Sequence, residues 1–354
     1  MKIVQLGAKI GPERGMGTGN AGDTAVGAAC TNVYEKEFPN SEITYINCRQ
    51  IFTKDDVENI NTHDILFVSG GGLFLNDDFP NNVSDWQWGI STELLKSINI
   101  PIVVYAIGYN KFRGQKEFTS IFDKSVSTLV EKSIFFSMRN TGSCNKIKQH
   151  IPENFHPGIN HNYCPTILFS NNFKKNLIRN KSVGFVLAGD RLSNRHKNLE
   201  QFIHNITQLV NYLKNKGVKT ILINHKNDEW IGNRIEFDEF KNLYKKSVDE
   251  IYEFYSSLDT VVADRGHAQM IPFGCGCKVL SPVSLSKLTW LLDDLKLSNF
   301  YVDENESNLG EILIKKYESF NTLDWQKVHS TQMKIIENNY VNNMKKIKSK
   351  INYE

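Results

Sequence analysis

The stretch Asp64-Ile-Leu-Phe-Val-Ser-Gly-Gly-Gly-Leu-Phe74 decides how the chain is read. Ile65–Ser69 has no polar alternation, so it predicts a strand covered on both faces, as strands of parallel sheets are. Gly70, Gly71 and Gly72 stand at its carboxyl end. Glycine there opens backbone angles closed to other residues and leaves amides bare for a ligand. The next apolar run, PIVVYAIGYN (residues 101–110), ends in the same way at Gly108. A tight turn explains either glycine site alone. Two consecutive strand ends of this kind point to one cleft, because open α/β sheets bind ligands beyond the carboxyl ends of their strands.

Working outward, further strands are predicted at Lys2–Leu6, Ile43–Asn47 and Ile134–Ser137. Helix-like stretches Asp23–Glu37, Ser91–Ser97 and Thr119–Glu131 alternate with them, which is the α/β signature. Around Cys164–Lys181 the pattern breaks, and the polar, Asn-rich SNNFKKNLIRNK reads as a linker. Strands then return at Val183–Leu187, Thr220–Asn224, Thr260–Ala263 and Lys278–Leu280, with helices at Leu199–Lys216, Val248–Ser256 and Leu285–Asp293. The expected architecture is two Rossmann-like domains, residues 1–170 and 182–323, facing a cleft. A helical tail, residues 324–354, follows and ends in MKKIKSKINYE. A solvated terminal helix is the preferred reading of that tail. Its four lysines also offer a peripheral contact to an anionic membrane surface.

Composition narrows the function classes. The chain has 354 residues, enough for two ordinary domains. With 42 basic and 39 acidic side chains it lacks the bias of a dedicated nucleic-acid binder. No apolar run reaches the roughly 18–20 residues that span a bilayer, and MKIVQLG enters a strand directly, without the layout of a signal peptide. Six cysteines in a chain this long are no disulfide scaffold. A cytoplasmic protein is expected.

The glycine-rich start, GAKIGPERGMGTGNAGDTAVGAA, formally matches G-x-G-x-x-G at Gly17, Gly19 and Gly22. About ten residues separate this match from the strand that should precede it at once. Asn47 and Arg49 stand where an acidic ribose partner would close the second strand, so a dinucleotide site is disfavoured. The better reading makes Gly19-Asn20-Ala21-Gly22-Asp23 a helix entry capped by Asp23, whose free amides favour an anion.

Charged residues gather at other strand ends. Thr260-Val-Val-Ala-Asp-Arg-Gly-His-Ala268 puts Arg265 and His267 just past a strand, His225 and Asp228 follow Thr220–Asn224, and Ser137 and Arg139 end a third. Arginine offers a planar fork for carboxylate or phosphate, and histidine is the usual acid or base near neutral pH. Any one of these is explained by a surface salt bridge; three strand ends together argue for a site. Cys275-Gly276-Cys277 lacks a second ligand pair at zinc spacing and reads as structural, and no metal site is expected. Trp86, Trp88 and Trp230 suit either sugar stacking or core packing.

In order, Gly19-Asn-x-Gly-Asp23, Gly70-Gly-Gly-Leu-Phe74, Ser137-x-Arg139, His225 with Asp228, Arg265-x-His267-Ala268 and Gly274 resemble the polysaccharide pyruvyl transferase family, over about Gly19 to Leu297. Lys287 falls where that family tends to carry a lysine before its late helix. The chain departs at Gly266, where the family usually has an apolar residue, at Cys277, where it usually has proline, and at Tyr163-Cys164-Pro165, where it has an acidic residue.

The resemblance implies a GT-B-like enzyme that moves a pyruvyl group from phosphoenolpyruvate onto sugar hydroxyls of a cell-surface glycan as a ketal. Phosphoenolpyruvate is the donor substrate, and no cofactor or metal is implied. Arg265, Arg139 and Lys287 would supply cations to the donor, with His225 beside them, and Gly70, Gly71 and Gly72 would supply amides. His267, protonated beside the donor, is the candidate general acid; Asp23 or His225 would accept the hydroxyl proton. Asn20 and Asp23 face the acceptor, a glycan or lipid-linked sugar met at the inner membrane surface. The rival functions are a GT-B glycosyltransferase with a nucleotide-sugar donor and a non-catalytic glycan-binding relative.

Overall fold

A computed structural model of the chain describes residues 1–7, 19–174 and 181–351. Gly17 and residues 175–180 of the expected linker lie outside them. The first half runs β1 (Lys2–Gly7), α1 (Ala21–Glu37), β2 (Glu42–Asn47), α2 (Lys54–Ile60), β3 (Ile65–Ser69), α3 (Thr92–Lys96), β4 (Ile102–Ile107), α4 (Ser120–Lys132), β5 (Ser133–Met138), α5 (Thr141–Lys148), β6 (Ile159–His161) and α6 (Pro165–Phe169). The second half runs β7 (Ser182–Val186), α7 (Leu192–Arg195), α8 (Leu199–Asn215), β8 (Lys219–Asn224), β9 (Glu239–Asn242), α9 (Val248–Ser257), β10 (Thr260–Ala263), α10 (Gly266–Gly274), β11 (Lys278–Val283), α11 (Lys287–Asp294), β12 (Tyr301–Asp303), α12 (Leu309–Ser319) and α13 (Trp325–Lys350).

Each half carries one six-stranded sheet, ordered β2-β1-β3-β4-β5-β6 and β12-β11-β10-β7-β8-β9. Every recorded strand pair is parallel. β3 and β4 are buried along their whole length, which is why their sequences lack alternation. The strand order reverses between β1 and β3 in one sheet and between β7 and β10 in the other. These are the two crevices where α/β sheets hold ligands.

β4 departs from regular pairing. Its register with β5 shifts between Val104 and Ile107, and Ala106 has φ +51°, in the left-handed region. The Ser137 hydroxyl fills the gap, accepting from the Ala106 amide at 3.0 Å and donating to the Val104 carbonyl at 3.0 Å. This bulge re-aims the strand just before Gly108 and Arg139.

The chain around Cys164, where the predicted pattern breaks, is not open coil ahead of the expected linker, and one expectation is corrected. Pro165 opens α6 at the first helical turn, where its missing N–H costs nothing, and Ile167 is fully buried against Gly274. The corrected expectation is the tail, which is not a solvated helix. α13 begins on the second half, where the Trp325 indole donates to Gly276 O, and ends on the first. There Asn339 and Asn343 donate to His161 O, and Tyr340 donates to the Glu37 carboxylate. Of the four terminal lysines, Lys346 bonds Asn160, Lys348 pairs with Glu37 and Lys350 bonds Ile134 O. Among the described residues, no helix is long and apolar enough to cross a membrane.

Candidate active site

Between the carboxyl edges of the two sheets lies a cleft of about 500 Å³. Every candidate residue named from the sequence lines it: Asn20 and Asp23 at the start of α1, Gly70–Gly72 after β3, Arg139 after β5, His225 after β8, Arg265 and His267 at the start of α10, and Lys287 at the start of α11. Their environments differ, and so do the roles they can take.

Arg139 is buried, and among the described residues no carboxylate lies within bridging distance of it. Its Nε has no hydrogen-bond partner, and Nη2 reaches only Asn110 Oδ1 at 3.5 Å. Burial pulls its pKa down, against weaker opposing pulls from Cys164 and Asp23. Gly108 lets the guanidinium lie against the strand end, since a Cβ there would strike it. A buried guanidinium without a counter-charge is costly, and an anionic ligand removes the cost.

Lys287 is the second such cation. It stands with its Nζ 4.8 Å from the Phe112 ring centroid and makes no ion pair among the described residues. Burial pushes its pKa well below the usual lysine value, and the neighbouring Arg195 and Arg139 push the same way. His267 leans over α1, its Nδ1 2.6 Å from where a Cβ on Gly22 would sit, and its Nε2 has no partner. Burial, then Arg139, His225 and Lys287, hold its pKa well below 6.5. The ring is therefore neutral in the ligand-free cleft, and the expected protonation beside a donor needs the donor's charge.

The glycine run divides its work. Gly70 (φ +64°) lies against Val26, and a Cβ on Gly72 would collide with the Asn110 amide. Gly71 (φ +72°) faces open space, with nothing nearer than 4.0 Å to a Cβ there. Among the described residues, the amides of Gly71 and Gly72 take no turn or loop hydrogen bond.

Three residues serve structure more than the sequence suggested. Arg265 is claimed by Asp228, to which Nε donates at 2.9 Å, and by Asp190 at 2.8 Å, and despite burial these carboxylates keep it charged. His225 is buried with its Nε2 hydrogen-bonded to the Tyr255 hydroxyl, and burial lowers its pKa to about 3. It is removed as a hydroxyl base; its carbonyl instead receives the Ala21 amide at 3.3 Å. The helix cap is Asn20, not Asp23: Asn20 Oδ1 accepts from the Gly22 amide at 2.8 Å, and Asp23 sits one turn in. Trp86 and Trp88 are wholly buried, and Trp230 donates to Leu187 O, so none stacks in the cleft. Cys275 and Cys277 are buried beside α9 carbonyls. Among the described residues no three His, Cys, Asp or Glu side chains are grouped to hold a metal ion.

The cleft also contains residues that the sequence reading passed over: Asp190, Arg191, Arg195 and Asp264. Asp190-Arg191 follows Gly189 beyond β7, the same strand-end signature used elsewhere. Arg191 crosses the cleft mouth to Asp77 at 3.0 Å and stacks on Phe112 at 4.2 Å.

Two parallel Rossmann-like sheets with their carboxyl edges turned on one cleft define an α/β fold of the GT-B type. Solved structures agree in fold. S. aureus MnaA with UDP aligns with a TM-score of 0.55 at 10% identity, over 94% of this chain and 90% of its own. A putative UDP-N-acetylglucosamine 2-epimerase from Listeria monocytogenes aligns with a TM-score of 0.53 at 12% identity, over 94% and 90%. At these identities the likeness is one of fold alone. Among curated proteins no sequence match is found.

The sequence model of polysaccharide pyruvyl transferases matches residues 20–286, from the α1 cap to the start of α11. The chain belongs to the polysaccharide pyruvyl transferase family.

Proposed function

We propose that the protein transfers a pyruvyl group from phosphoenolpyruvate to two hydroxyls of one sugar, forming a ketal on a precursor of a cell-surface polysaccharide. The observation that carries this reading is the pair of enclosed, uncompensated cations, Arg139 and Lys287, in one cleft with the partnerless His267 Nε2. Phosphoenolpyruvate brings a phosphate and a carboxylate on adjacent atoms, so it meets two cations at once. The open backbone at Gly71 adds amide donors.

The chemistry begins with a proton delivered to the methylene carbon, which leaves an oxocarbenium-like centre at C2. One hydroxyl attacks that centre, phosphate departs, and the second hydroxyl closes the ketal. Of the two hydroxyl protons, one restores the acid and the other leaves with phosphate. His267 supplies the first proton. Its ring is neutral in the empty cleft, and the arriving anion reverses the repulsion from Arg139 and Lys287 and loads it. Asn20 and Asp23 lie on the side open to the acceptor, a glycan or lipid-linked sugar. The test is phosphate release from phosphoenolpyruvate with sugars bearing free 4- and 6-hydroxyls, run beside calorimetric binding of UDP-sugars. Phosphate release supports the reading. Tight UDP-sugar binding without it would instead support a nucleotide-sugar glycosyltransferase.

A further inference from the structure

Asp264 is the last residue before Arg265 and stands at the strand reversal of the second sheet, between the ends of β10 and β7. Its amide donates to Val186 O at 3.2 Å, which carries the ladder one residue past the strand. Its side chain is 0% exposed and forms part of the cleft wall. Oδ1 accepts from the Ala188 amide at 2.7 Å, while Oδ2 has no partner among the described residues. Its arginine neighbours are committed elsewhere. Arg195 Nη1 donates to the Asp264 carbonyl and to Ser284, and its Nη2 faces Asp190. Arg265 is held by Asp228 and Asp190. His196 faces Glu304 at 3.2 Å.

A buried carboxyl oxygen left without a donor costs stability and calls for an explanation other than folding. Asp228, in the same cleft wall region, differs: it takes amides from His225 and Gly189 and the Arg265 fork besides. Asp264 is fixed at one oxygen and idle at the other.

Resting on the pyruvyl-transfer reading, we propose that Asp264 is the general base of the second domain, its idle Oδ2 receiving the proton of the attacking sugar hydroxyl. The hydroxyl O–H bond breaks as the O–C2 bond forms, and the proton moves to Oδ2. When phosphate leaves, it takes a proton with it, and the carboxylate is regenerated. Burial lifts this carboxyl to about 6, against the opposing pull of Arg195, Arg265, the Ala188 amide and His196. A base with that value is ionised at neutral pH yet strong enough to take a proton. His267 and Asp264 then divide the proton transfers, one toward the donor carbon and one toward the acceptor oxygen.

The test uses the full chain and Asp264→Asn, which keeps an oxygen for the Ala188 amide. Wild-type binding of phosphoenolpyruvate and phosphate release with the sugar panel come first; if both are absent, the pyruvyl-transfer reading itself fails. Given an active wild type, Asp264→Asn is expected to bind phosphoenolpyruvate within about threefold of wild type and to lose about 10²–10⁴ in turnover. The acidic limb of the rate–pH profile near 6 should go with it. Asp264→Ala, assayed with added formate, should regain part of the rate. Because the native carboxyl is raised, its ionisation above pH 6 opposes folding, so the Asn variant should melt no lower than wild type at pH 8. Turnover within threefold of wild type overturns the proposal. So does a lowered melting point with lost donor binding and no rescue by formate, which marks a structural residue.

Discussion

Arg139 carries a charge that the described residues do not meet, and Lys287 repeats the arrangement across the cleft. Replacing a buried, unpaired charge by an apolar group of similar size is neutral or stabilising. Arg139→Met is therefore expected to weaken phosphoenolpyruvate binding by about 10- to 150-fold, counting one charge-assisted contact at about 1.5–3 kcal/mol. Its melting temperature should hold or rise; a clear fall would show that the charge supports the fold. His267→Ala removes a ring whose Nε2 bonds nothing, so turnover should drop by about 10²–10⁴ with the fold intact. Retained activity sinks the acid role.

The pH sign follows from the same residues. His267 and Lys287 both sit below their ordinary values in the empty cleft. A bound anion raises both, so binding takes up protons. Affinity for phosphoenolpyruvate should therefore increase as pH is lowered from 8 toward 6, after allowance for the donor's own phosphate. Calorimetry in buffers of different ionisation enthalpy measures the uptake directly; zero uptake contradicts it.

At the scale of elements, the bulge in β4 is the feature that aims the site. Ala106 at φ +51° is strained for a residue with a Cβ, by about 1–3 kcal/mol. Ser137 offsets part of that by bonding both backbone groups that the bulge frees. Ser137→Ala should cost about 1–3 kcal/mol, leaving the Ala106 amide unmet, whereas Ala106→Gly should be neutral or stabilising. Denaturant titration of the two variants separates them, and an Ala106→Gly loss above 1 kcal/mol would falsify the strain account. The long buried strands and amphipathic helices were legible in the sequence because their periodicity is set by burial. β6, β9 and β12 were not: three or four residues at a sheet edge, INH, EFKN and YVD, carry no pattern. α10 carries no helix pattern in the sequence, since GHAQMIPFG contains two glycines and Pro272. Its helicity comes from packing between β10 and β11, with Ala268 through Gly274 all buried.

At the scale of the whole molecule, two contacts join the Arg191–Asp77 bridge in holding the halves relative to each other. The start of α1 is docked on the second half through Ala21 to His225 O and Gly19 O to Lys245. α13 straps back from the second half to the first, where Asn343 bonds His161 O and Asn162. Asn343→Leu takes one donor from Asn162 Oδ1 and leaves His161 O to Asn339 alone, an expected cost of about 1–3 kcal/mol. Melting should fall by a few degrees and donor affinity should weaken, since Arg139 and Lys287 come from opposite halves. Lowered melting with unchanged affinity would uncouple the strap from the site.

The sequence by itself determined the two α/β halves, the strand-end glycines and the set of residues turned toward the cleft. These follow from burial and backbone chemistry, which are local and periodic. Only the tertiary structure decided which charges are spent and which are held in reserve. Arg265 and Arg139 look alike in sequence, yet one meets two carboxylates and the other meets none. Asp264 lay unremarked beside Arg265, because an oxygen without a partner is defined by what surrounds it in space. Pairing energies depend on distances across the fold, and no spacing along the chain encodes them.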